Sequence, residues 1–295
     1  MNAQAKRLRG LLARPEPVVS MGVWDPYSAK VAEQEGFEVL TVFGSIVSWA
    51  MLGTTDSGYI TQTEIADTAR RIIQSVSVPV IVDCDDGFGD PINVRRTVQI
   101  MEHMGAAGMY IEDLSRPLRC SAMGDGGLIA SDAMAQKIRA AVDARTDPDF
   151  FIMARTDNYE GVDELILRCR KYVAAGADMV LVIGLTTEES MARVAAEAGV
   201  PLSTLQPART KMPFLPHNRV KEMGYRIVFH VQTMYMAAAQ AMRDAARDLK
   251  EDVTQGTSVP RLAPGPSPIE IEKTLGLDLD TELNNRYTGA PPIPE

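Results

Sequence analysis

The chain has 295 residues, of which 45% are hydrophobic and 23% are charged, so it can bury a full core and is neither disordered nor fibrous. Its net charge is −9 at pH 7, which argues against a nucleic-acid surface and against attraction to anionic membranes. A small anionic substrate stays open, because an arginine or a metal ion can reverse the field inside a cleft.

Neither an export signal nor a membrane-spanning helix is predicted from the sequence. No apolar run approaches the ~18 residues of a membrane-spanning helix, and the stretch Met1–Pro15 makes a poor secretory signal. Its three cysteines, Cys84, Cys120 and Cys169, are an odd and sparse set that fits a reducing compartment without a disulfide framework. We therefore predict a cytoplasmic protein.

Short apolar runs alternate with amphipathic helical patterns along most of the chain. Eight of these runs are predicted as strands: Val18–Trp24, Val39–Gly44, Val78–Asp83, Gly108–Glu112, Phe150–Arg155, Met179–Ile183, Pro201–Thr204 and Ile227–Val231. The segment Glu64–Val76 is predicted as a helix, because its apolar residues recur every three to four positions. Thr61 with Glu64, and Thr186 with Glu189, fit capping boxes at helix starts.

Glycines stand between helical patterns and the strands that follow them. They are Gly36, Gly105, Gly176, Gly199 and Gly224. A glycine is favoured there because the residue after a helix often adopts a left-handed conformation. These joints, with eight strands alternating with helices, predict an α/β fold, the (β/α)8 TIM barrel. The alternative is an open doubly wound sheet, but no G-x-G-x-x-G motif follows the first strand.

The last stretch of the chain has a different composition. After a predicted helix over Thr233–Lys250 come a Pro-rich segment, Val259–Pro268, a short helical pattern at Ile269–Leu275 and a tail, Gly289–Glu295. We predict a barrel domain over residues 1–250 and a C-terminal helical or irregular extension over residues 251–295. The extension is expected to pack on the barrel or on a neighbouring subunit, or else to fray.

Acidic residues follow neighbouring predicted strands, where barrel active sites lie. Asp83 and Asp85 share one face at the end of the third strand, and Glu112 ends the fourth. Oxygen ligands suit Mg²⁺ or Mn²⁺ better than zinc. The alternative is that these acids cap helices or pair with lysines, but like charges on one face need a cation. We predict a metal site at these three residues.

Two further features at the strand ends suit an anionic ligand. Arg155 ends the fifth strand and is predicted to bind a substrate carboxylate in bidentate geometry, with a structural ion pair as the alternative. Gly44 and Ser45 follow the second strand, where their backbone N–H groups could bind an anionic oxygen or serve only the turn.

A long loop follows the fourth strand and contains a cysteine. In the segment Arg116–Gly127, Cys120 stands beside Arg119. A neighbouring cation makes a thiol easier to ionise, which predicts an acid–base role for Cys120. An inert loop cysteine is the alternative. Schiff-base chemistry is disfavoured because none of the predicted strands contains a lysine.

Several motifs together resemble the isocitrate lyase/phosphoenolpyruvate mutase superfamily over nearly the whole chain. They are Gly22-Val-Trp-Asp-Pro-Tyr-Ser-Ala29, Asp83-Cys-Asp-Asp-Gly-Phe-Gly89, Gly105-Ala-Ala-Gly108, Ile111-Glu-Asp113, Ala154-Arg-Thr-Asp157 and Ala175-Gly-Ala-Asp178. This resemblance implies a (β/α)8 barrel that assembles as a homotetramer, a dimer of dimers, with C-terminal helices exchanged between subunits. It also implies Mg²⁺, with Mn²⁺ as the alternative, holding a small keto acid or its enolate.

The same resemblance implies roles for individual residues. Asp85 matches the direct metal ligand, Asp83 and Glu112 match carboxylates that act through water, and Asp56 matches a further acid near the site. Cys120 falls on the cysteine of the K-[KR]-C-G-H loop of the lyases, where mutases have asparagine. Catalytic roles are thus assigned to Cys120, Arg155 and Asp56, and substrate binding to Phe43, Gly44, Ser45, Arg155 and Gln206.

The chain departs from the lyase pattern on the side away from the predicted metal. Leu118 replaces the lysine of the loop motif, Ser121-Ala122 replaces Gly-His, and Ile183 stands where a glutamate ends the sixth strand. Val42 replaces a tyrosine, and Ser203 and Gln206 replace asparagine and glutamate. We therefore expect a substrate smaller or more apolar than isocitrate or methylisocitrate.

Three hypotheses about function follow. The first is a Mg²⁺-dependent carbon–carbon lyase that cleaves a small 2-hydroxy or 2-keto acid by a retro-aldol reaction, with Cys120 protonating the departing carbanion. The second is an oxaloacetate-type decarboxylase or carbon–carbon hydrolase. The third is a non-catalytic protein that binds keto acids. Phosphonate mutase or phosphonopyruvate hydrolase chemistry is disfavoured by Cys120.

Overall fold

A closed barrel of parallel strands forms the body of the protein. The computed structural model describes residues 2–121, 126–207, 210–255 and 265–288. Within them the barrel strands are β1 (Val18–Val23), β2 (Val39–Val42), β3 (Val80–Asp83), β4 (Gly108–Glu112), β5 (Phe151–Asp157), β6 (Met179–Ile183), β7 (Leu202–Leu205) and β8 (Ile227–His230). Each strand pairs with the next, and β8 pairs with β1 to close the ring. The prediction of a TIM barrel is confirmed.

Helices alternate with the strands. Their bounds are α1 (Ala3–Leu12), α2 (Pro26–Gln34), α3 (Gly44–Val47), α4 (Gln62–Ile73), α5 (Pro91–His103), α6 (Ser131–Ala144), α7 (Val162–Ala174), α8 (Glu188–Ala198), α9 (His217–Glu222), α10 (Thr233–Gln255), α11 (Pro268–Leu275) and α12 (Leu277–Thr288). A π-helical turn, Ser48–Leu52, follows α3. Almost every strand residue is buried, because the helices cover the outer face and side chains fill the interior.

Local signals in the sequence set most of the helix boundaries. Thr61 and Glu64 form the predicted capping box at the start of α4. The capping box of α8 lies one residue later than predicted, because Thr187, not Thr186, adopts the extended cap conformation and bonds Ser190. The five glycines that precede strands all have positive φ, between 66° and 109°, as predicted.

The C-terminal part forms a compact unit of its own. The chain divides between Thr233 and Met234, so the predicted boundary at residue 250 falls inside α10. The helical pattern predicted near Ile269–Leu275 is α11. Residues 256–264 and the tail 289–295 lie outside the described residues, as do residues 122–125 of the loop after β4. No helix in the described ranges is long and apolar enough to cross a membrane.

Candidate active site

A cavity opens at the carboxyl ends of the strands. It collects most of the side chains that the sequence singles out. The predicted site residues that line it are Phe43, Ser45, Asp56, Asp83, Asp85, Glu112, Cys120 and Arg155.

Asp83 is fixed by main-chain donors and by a tyrosine. The N–H of Gly44 donates to Oδ2 of Asp83 at 3.0 Å, and the N–H of Asp85 donates to Oδ1 at 3.1 Å. The buried hydroxyl of Tyr110 also hydrogen-bonds Asp83. A Cβ atom at position 44 would lie 2.9 Å from Oδ1 of Asp85, so glycine lets the acids approach the chain closely. The N–H of Gly44, one of the groups predicted to bind an anionic oxygen, is therefore hydrogen-bonded to the Asp83 carboxylate in this structure.

Asp85 lies in an unusual backbone conformation beside the other acids. Its φ is +44°, which is rare for a residue with a side chain, and its carbonyl accepts the N–H of Glu112 at 2.8 Å. Burial, together with the negative charges of Asp83 and Asp56, raises the pKa of Asp85 well above its usual value. Burial and the charge of Asp83 raise the pKa of Asp56 to about 6. The acids therefore repel one another inside the cavity.

The donor set of this cluster fits a hard divalent cation. Four carboxylates, those of Asp56, Asp83, Asp85 and Glu112, line one cavity, and a bound cation would relieve their mutual repulsion. Among the described residues, no three His, Cys, Asp or Glu side chains stand where they would together coordinate an ion. A site with one direct carboxylate ligand, and others acting through water, needs no such trio.

Arg155 lies between two carboxylates. Its Nη1 donates to Oε2 of Glu112 at 2.7 Å, and its Nε donates to Oδ1 of Asp157 at 3.0 Å. Nη2 is 3.4 Å from Oδ2 of Asp157, which is a long contact for a charged pair. Arg155 therefore makes structural ion pairs, which were the alternative to substrate binding, and it also lines the cavity. Of its three side-chain nitrogens, Nη2 makes the longest contact with a carboxylate.

Described residues around Cys120 anchor the loop after β4. Arg116 forms a bidentate pair with Asp86, at 2.9 and 2.8 Å. The backbone N–H and the hydroxyl of Ser121 both donate to Oδ2 of Asp157 at 2.8 Å. Cys120 lies between these anchors in the chain and lines the cavity together with Arg155.

Two predicted substrate contacts remain, Phe43 and Gln206, and only Phe43 is among the residues that line the cavity. The Phe43 ring packs edge-on against Phe229, with centroids 5.9 Å apart, at the cavity wall. The side chain of Gln206 is buried and bonds the main chain of Leu215 twice, with Nε2 donating to the carbonyl at 3.0 Å and Oε1 accepting the N–H at 3.1 Å. In this structure Gln206 holds the loop after β7.

Sequence reasoning missed several lining residues. Tyr110 lies two positions before Glu112 on β4, and strict alternation along the strand could have placed it on the same inner face. Four apolar lining residues were also missed, Leu114, Leu205, Pro207 and Val231, and they join Leu118, Ile183 and Phe43, which the sequence had singled out. They give the cavity an apolar wall besides its acidic and cationic groups.

A parallel barrel with a carboxylate-lined cavity at the carboxyl ends of its strands has the arrangement in which TIM-barrel enzymes carry their active sites. Residues 8–250 match the family Phosphoenolpyruvate phosphomutase. The chain belongs to this family, within the isocitrate lyase/phosphoenolpyruvate mutase superfamily, and is a carbon–carbon lyase or hydrolase of that scaffold. The resemblance seen in the sequence is confirmed.

Similar proteins have related activities. The chain is 35% identical over 293 residues to 2,3-dimethylmalate lyase of Eubacterium barkeri, covering 97% of this chain and 99% of that protein. It is 38% identical over 250 residues to 2-methylisocitrate lyase of Aeropyrum pernix, covering 84% and 80%.

Solved structures superimpose on nearly the whole chain. Oxaloacetate acetylhydrolase in complex with 3,3-difluorooxalacetate has a TM-score of 0.90 and 30% identity, and each chain is covered to 98%. Phosphonopyruvate hydrolase in complex with oxalate and Mg²⁺ has a TM-score of 0.84 and 26% identity, with 97% of this chain and 99% of that chain covered.

Proposed function

We propose that the protein is a Mg²⁺-dependent lyase that cleaves the C2–C3 bond of a small 2-hydroxy acid by a retro-aldol reaction. The observation that carries this proposal is one cavity that brings together a carboxylate cluster, the Arg155 guanidinium and the Cys120 thiol. These groups supply the three requirements of the reaction, which are a metal site, a carboxylate contact and a proton donor.

Asp85, with Asp83 and Glu112 acting through water, would hold the metal. The bound ion supplies Lewis acidity, which lowers the energy of negative charge on the C2 oxygen. Phosphonopyruvate hydrolase, a solved relative, binds Mg²⁺ with oxalate, which supports the same ion here. Mn²⁺ has the same preference for oxygen ligands and is the alternative.

The residues of the chain move the protons and fix the substrate. Nη2 of Arg155 donates to the C1 carboxylate, and Asp56, with a pKa of about 6, takes the proton of the C2 hydroxyl. The C2–O bond then becomes a carbonyl, and the electron pair of the C2–C3 bond moves to C3. Cys120 gives its proton to C3. When C3 itself carries a carboxylate, as in a malate, the products are a 2-keto acid and a second carboxylic acid.

The apolar wall favours an alkyl-substituted substrate. Leu118 and Ile183 line the cavity where lyases of this family have a lysine and a glutamate, so a polar group there would be desolvated without a partner. The relative that acts on 2,3-dimethylmalate fits this chemistry. We expect turnover on alkyl-substituted malates, and comparable turnover on isocitrate or methylisocitrate would refute the assignment.

A Cys120→Ser variant tests the mechanism. In the lyase it abolishes turnover, because the proton donor is lost, while oxalate still binds with Mg²⁺. In an oxaloacetate-type decarboxylase the same variant leaves turnover nearly unchanged. A wild-type protein that binds oxalate but turns over no acid in a panel of 2-hydroxy and 2-keto acids would be a keto-acid-binding protein. Removal of Mg²⁺ by EDTA should abolish both activity and oxalate binding.

We further propose a homotetramer, a dimer of dimers, with C-terminal helices exchanged between subunits. The described helices α10 to α12 expose several large apolar side chains that another subunit would cover: Met236, Met242, Leu249, Val253, Leu275, Leu279 and Tyr287. Native mass spectrometry tests the assembly, and a monomer would contradict it. The sparse, odd cysteine set supports a cytoplasmic location.

A further inference from the structure

One buried carboxylate links two parts of the proposed site. The Asp157 side chain is fully buried, and its two oxygens have different partners. Oδ1 accepts Nε of Arg155 at 3.0 Å, from the same strand, while Oδ2 accepts both donors of Ser121 at 2.8 Å, from the loop after β4. Ser121 is the next residue in the chain after Cys120. Asp157 thus connects the carboxylate contact of the site to its proton donor.

Asp157 and Ser121 do not line the cavity, although Arg155 and Cys120, to which they are joined, do. Any effect of these two residues on a ligand must therefore pass through their neighbours. The hydrogen bonds of Ser121 occupy Oδ2 of Asp157, and Nη2 of Arg155 stays 3.4 Å from that oxygen. The bond from Nη2 to Asp157 is therefore the longest of those that Arg155 makes with its two carboxylate partners, and a ligand carboxylate would replace it most easily.

The Ser121 hydroxyl packs closely against the main chain at Gly184. A Cβ atom added to Gly184 would lie 2.3 Å from the Ser121 hydroxyl oxygen, and Gly184 has a φ of +81°, which favours glycine. Gly184 follows β6 directly. The serine itself is a departure of this chain, since related lyases have glycine at this position of the loop motif. The hydroxyl is therefore an added donor with a space made for it.

We infer that Ser121 and Asp157 are positioning residues, which orient Arg155 toward the substrate carboxylate and hold Cys120 at a fixed distance from it. This inference rests on the proposed function of the cavity. Without the Ser121 hydroxyl, Oδ2 of the buried Asp157 loses a donor, and Nη2 of Arg155 is the nearest cationic replacement. The guanidinium then turns toward Asp157 and away from the ligand.

The test compares Ser121→Ala with a matched control, Thr156→Val. Thr156 also donates its hydroxyl to a buried carboxylate at 2.8 Å, that of Asp113, but from the outer face of β5. Both variants lose one hydrogen bond to a buried charge and should be similarly destabilised. Only Ser121→Ala should raise the Kd for oxalate in the presence of Mg²⁺, by about tenfold, and lower kcat by a similar factor. Equal Kd and kcat values in both variants would overturn the inference.

A crystal structure of Ser121→Ala gives a measurement that needs neither ligand nor turnover. We expect the Nη2–Oδ2 distance between Arg155 and Asp157 to fall from 3.4 Å to about 2.9 Å. An unchanged distance would reject the positioning role even if the wild type is an active lyase. A wild type without oxalate binding or turnover would instead reject the proposed function, and the distance would still decide the role of Ser121.

Discussion

Gly44→Ala should impair the proposed metal site without unfolding the barrel. The added Cβ would lie 2.9 Å from Oδ1 of Asp85 and 3.4 Å from Oδ2 of Asp83. Ordinary contacts of a Cβ begin near the second distance, so Asp85 must move by about 0.5 Å. Backbone strain is not involved, since Gly44 begins a helix with ordinary φ.

The size of the effect follows from that displacement. A shift of about 1 Å at a reacting group costs about 100-fold in rate, so half that shift predicts a fall of about tenfold in kcat/KM. That factor equals about 1.4 kcal/mol of transition-state stabilisation. The Mg²⁺ concentration for half-maximal activity should rise as well, because Asp85 is the assigned direct ligand.

Steady-state kinetics on an alkyl-substituted malate across a Mg²⁺ titration measures both quantities. Gly10→Ala is the matched control, because a Cβ at Gly10 would contact nothing within 4 Å and the residue lies in α1, outside the cavity lining. The control should retain wild-type kinetics. Wild-type kcat/KM and Mg²⁺ dependence in Gly44→Ala would refute the assignment of these acids to the metal.

Three further predictions concern stability, measured as the free energy of unfolding in urea. Arg168→Met leaves the buried carboxylate of Asp113 without its cationic partner, 3.0 Å away, and should cost about 3 kcal/mol. Burial and the neighbouring His217 lower the pKa of His230, so the wild type should lose stability as the pH falls below 6.5, and His230→Gln should lose less between pH 7.5 and 5. Thr61→Ala removes the cap of α4 and should cost about 1 kcal/mol, with activity retained.

The barrel could be predicted because its signals are local. Strand runs and glycine joints each occupy a few consecutive residues, and the close match of β4 and β6 with their predicted bounds shows how much these runs determine. Strand ends were less accurate where pairing extends them. β5 continues to Asp157 because that residue still pairs with Ile183 of β6, which no pattern within β5 shows.

The alternation of side chains along the strands and the sequence motifs predicted only part of the site. The acids at the strand ends follow from their positions, and they line the cavity together. The pair of Arg116 with Asp86, and the bonds of Ser121 to Asp157, join residues 30 and 36 positions apart through the path of one loop. Such contacts depend on tertiary packing, which leaves no periodic trace in the sequence.

The charges around the cavity indicate an order of binding. Two arginines, Arg119 and Arg155, line the cavity with four carboxyl groups, those of Asp56, Asp83, Asp85 and Glu112, so the acids outnumber the cations that an entering ligand meets. An anionic substrate meets net repulsion there until a divalent ion binds, and the proposed Mg²⁺ must therefore precede it or enter with it. Because coupling between two ligands is reciprocal, oxalate should tighten Mg²⁺ binding by the same factor by which Mg²⁺ tightens oxalate binding. The carboxylate cluster thus makes substrate affinity depend on the metal, whereas Arg155 provides orientation.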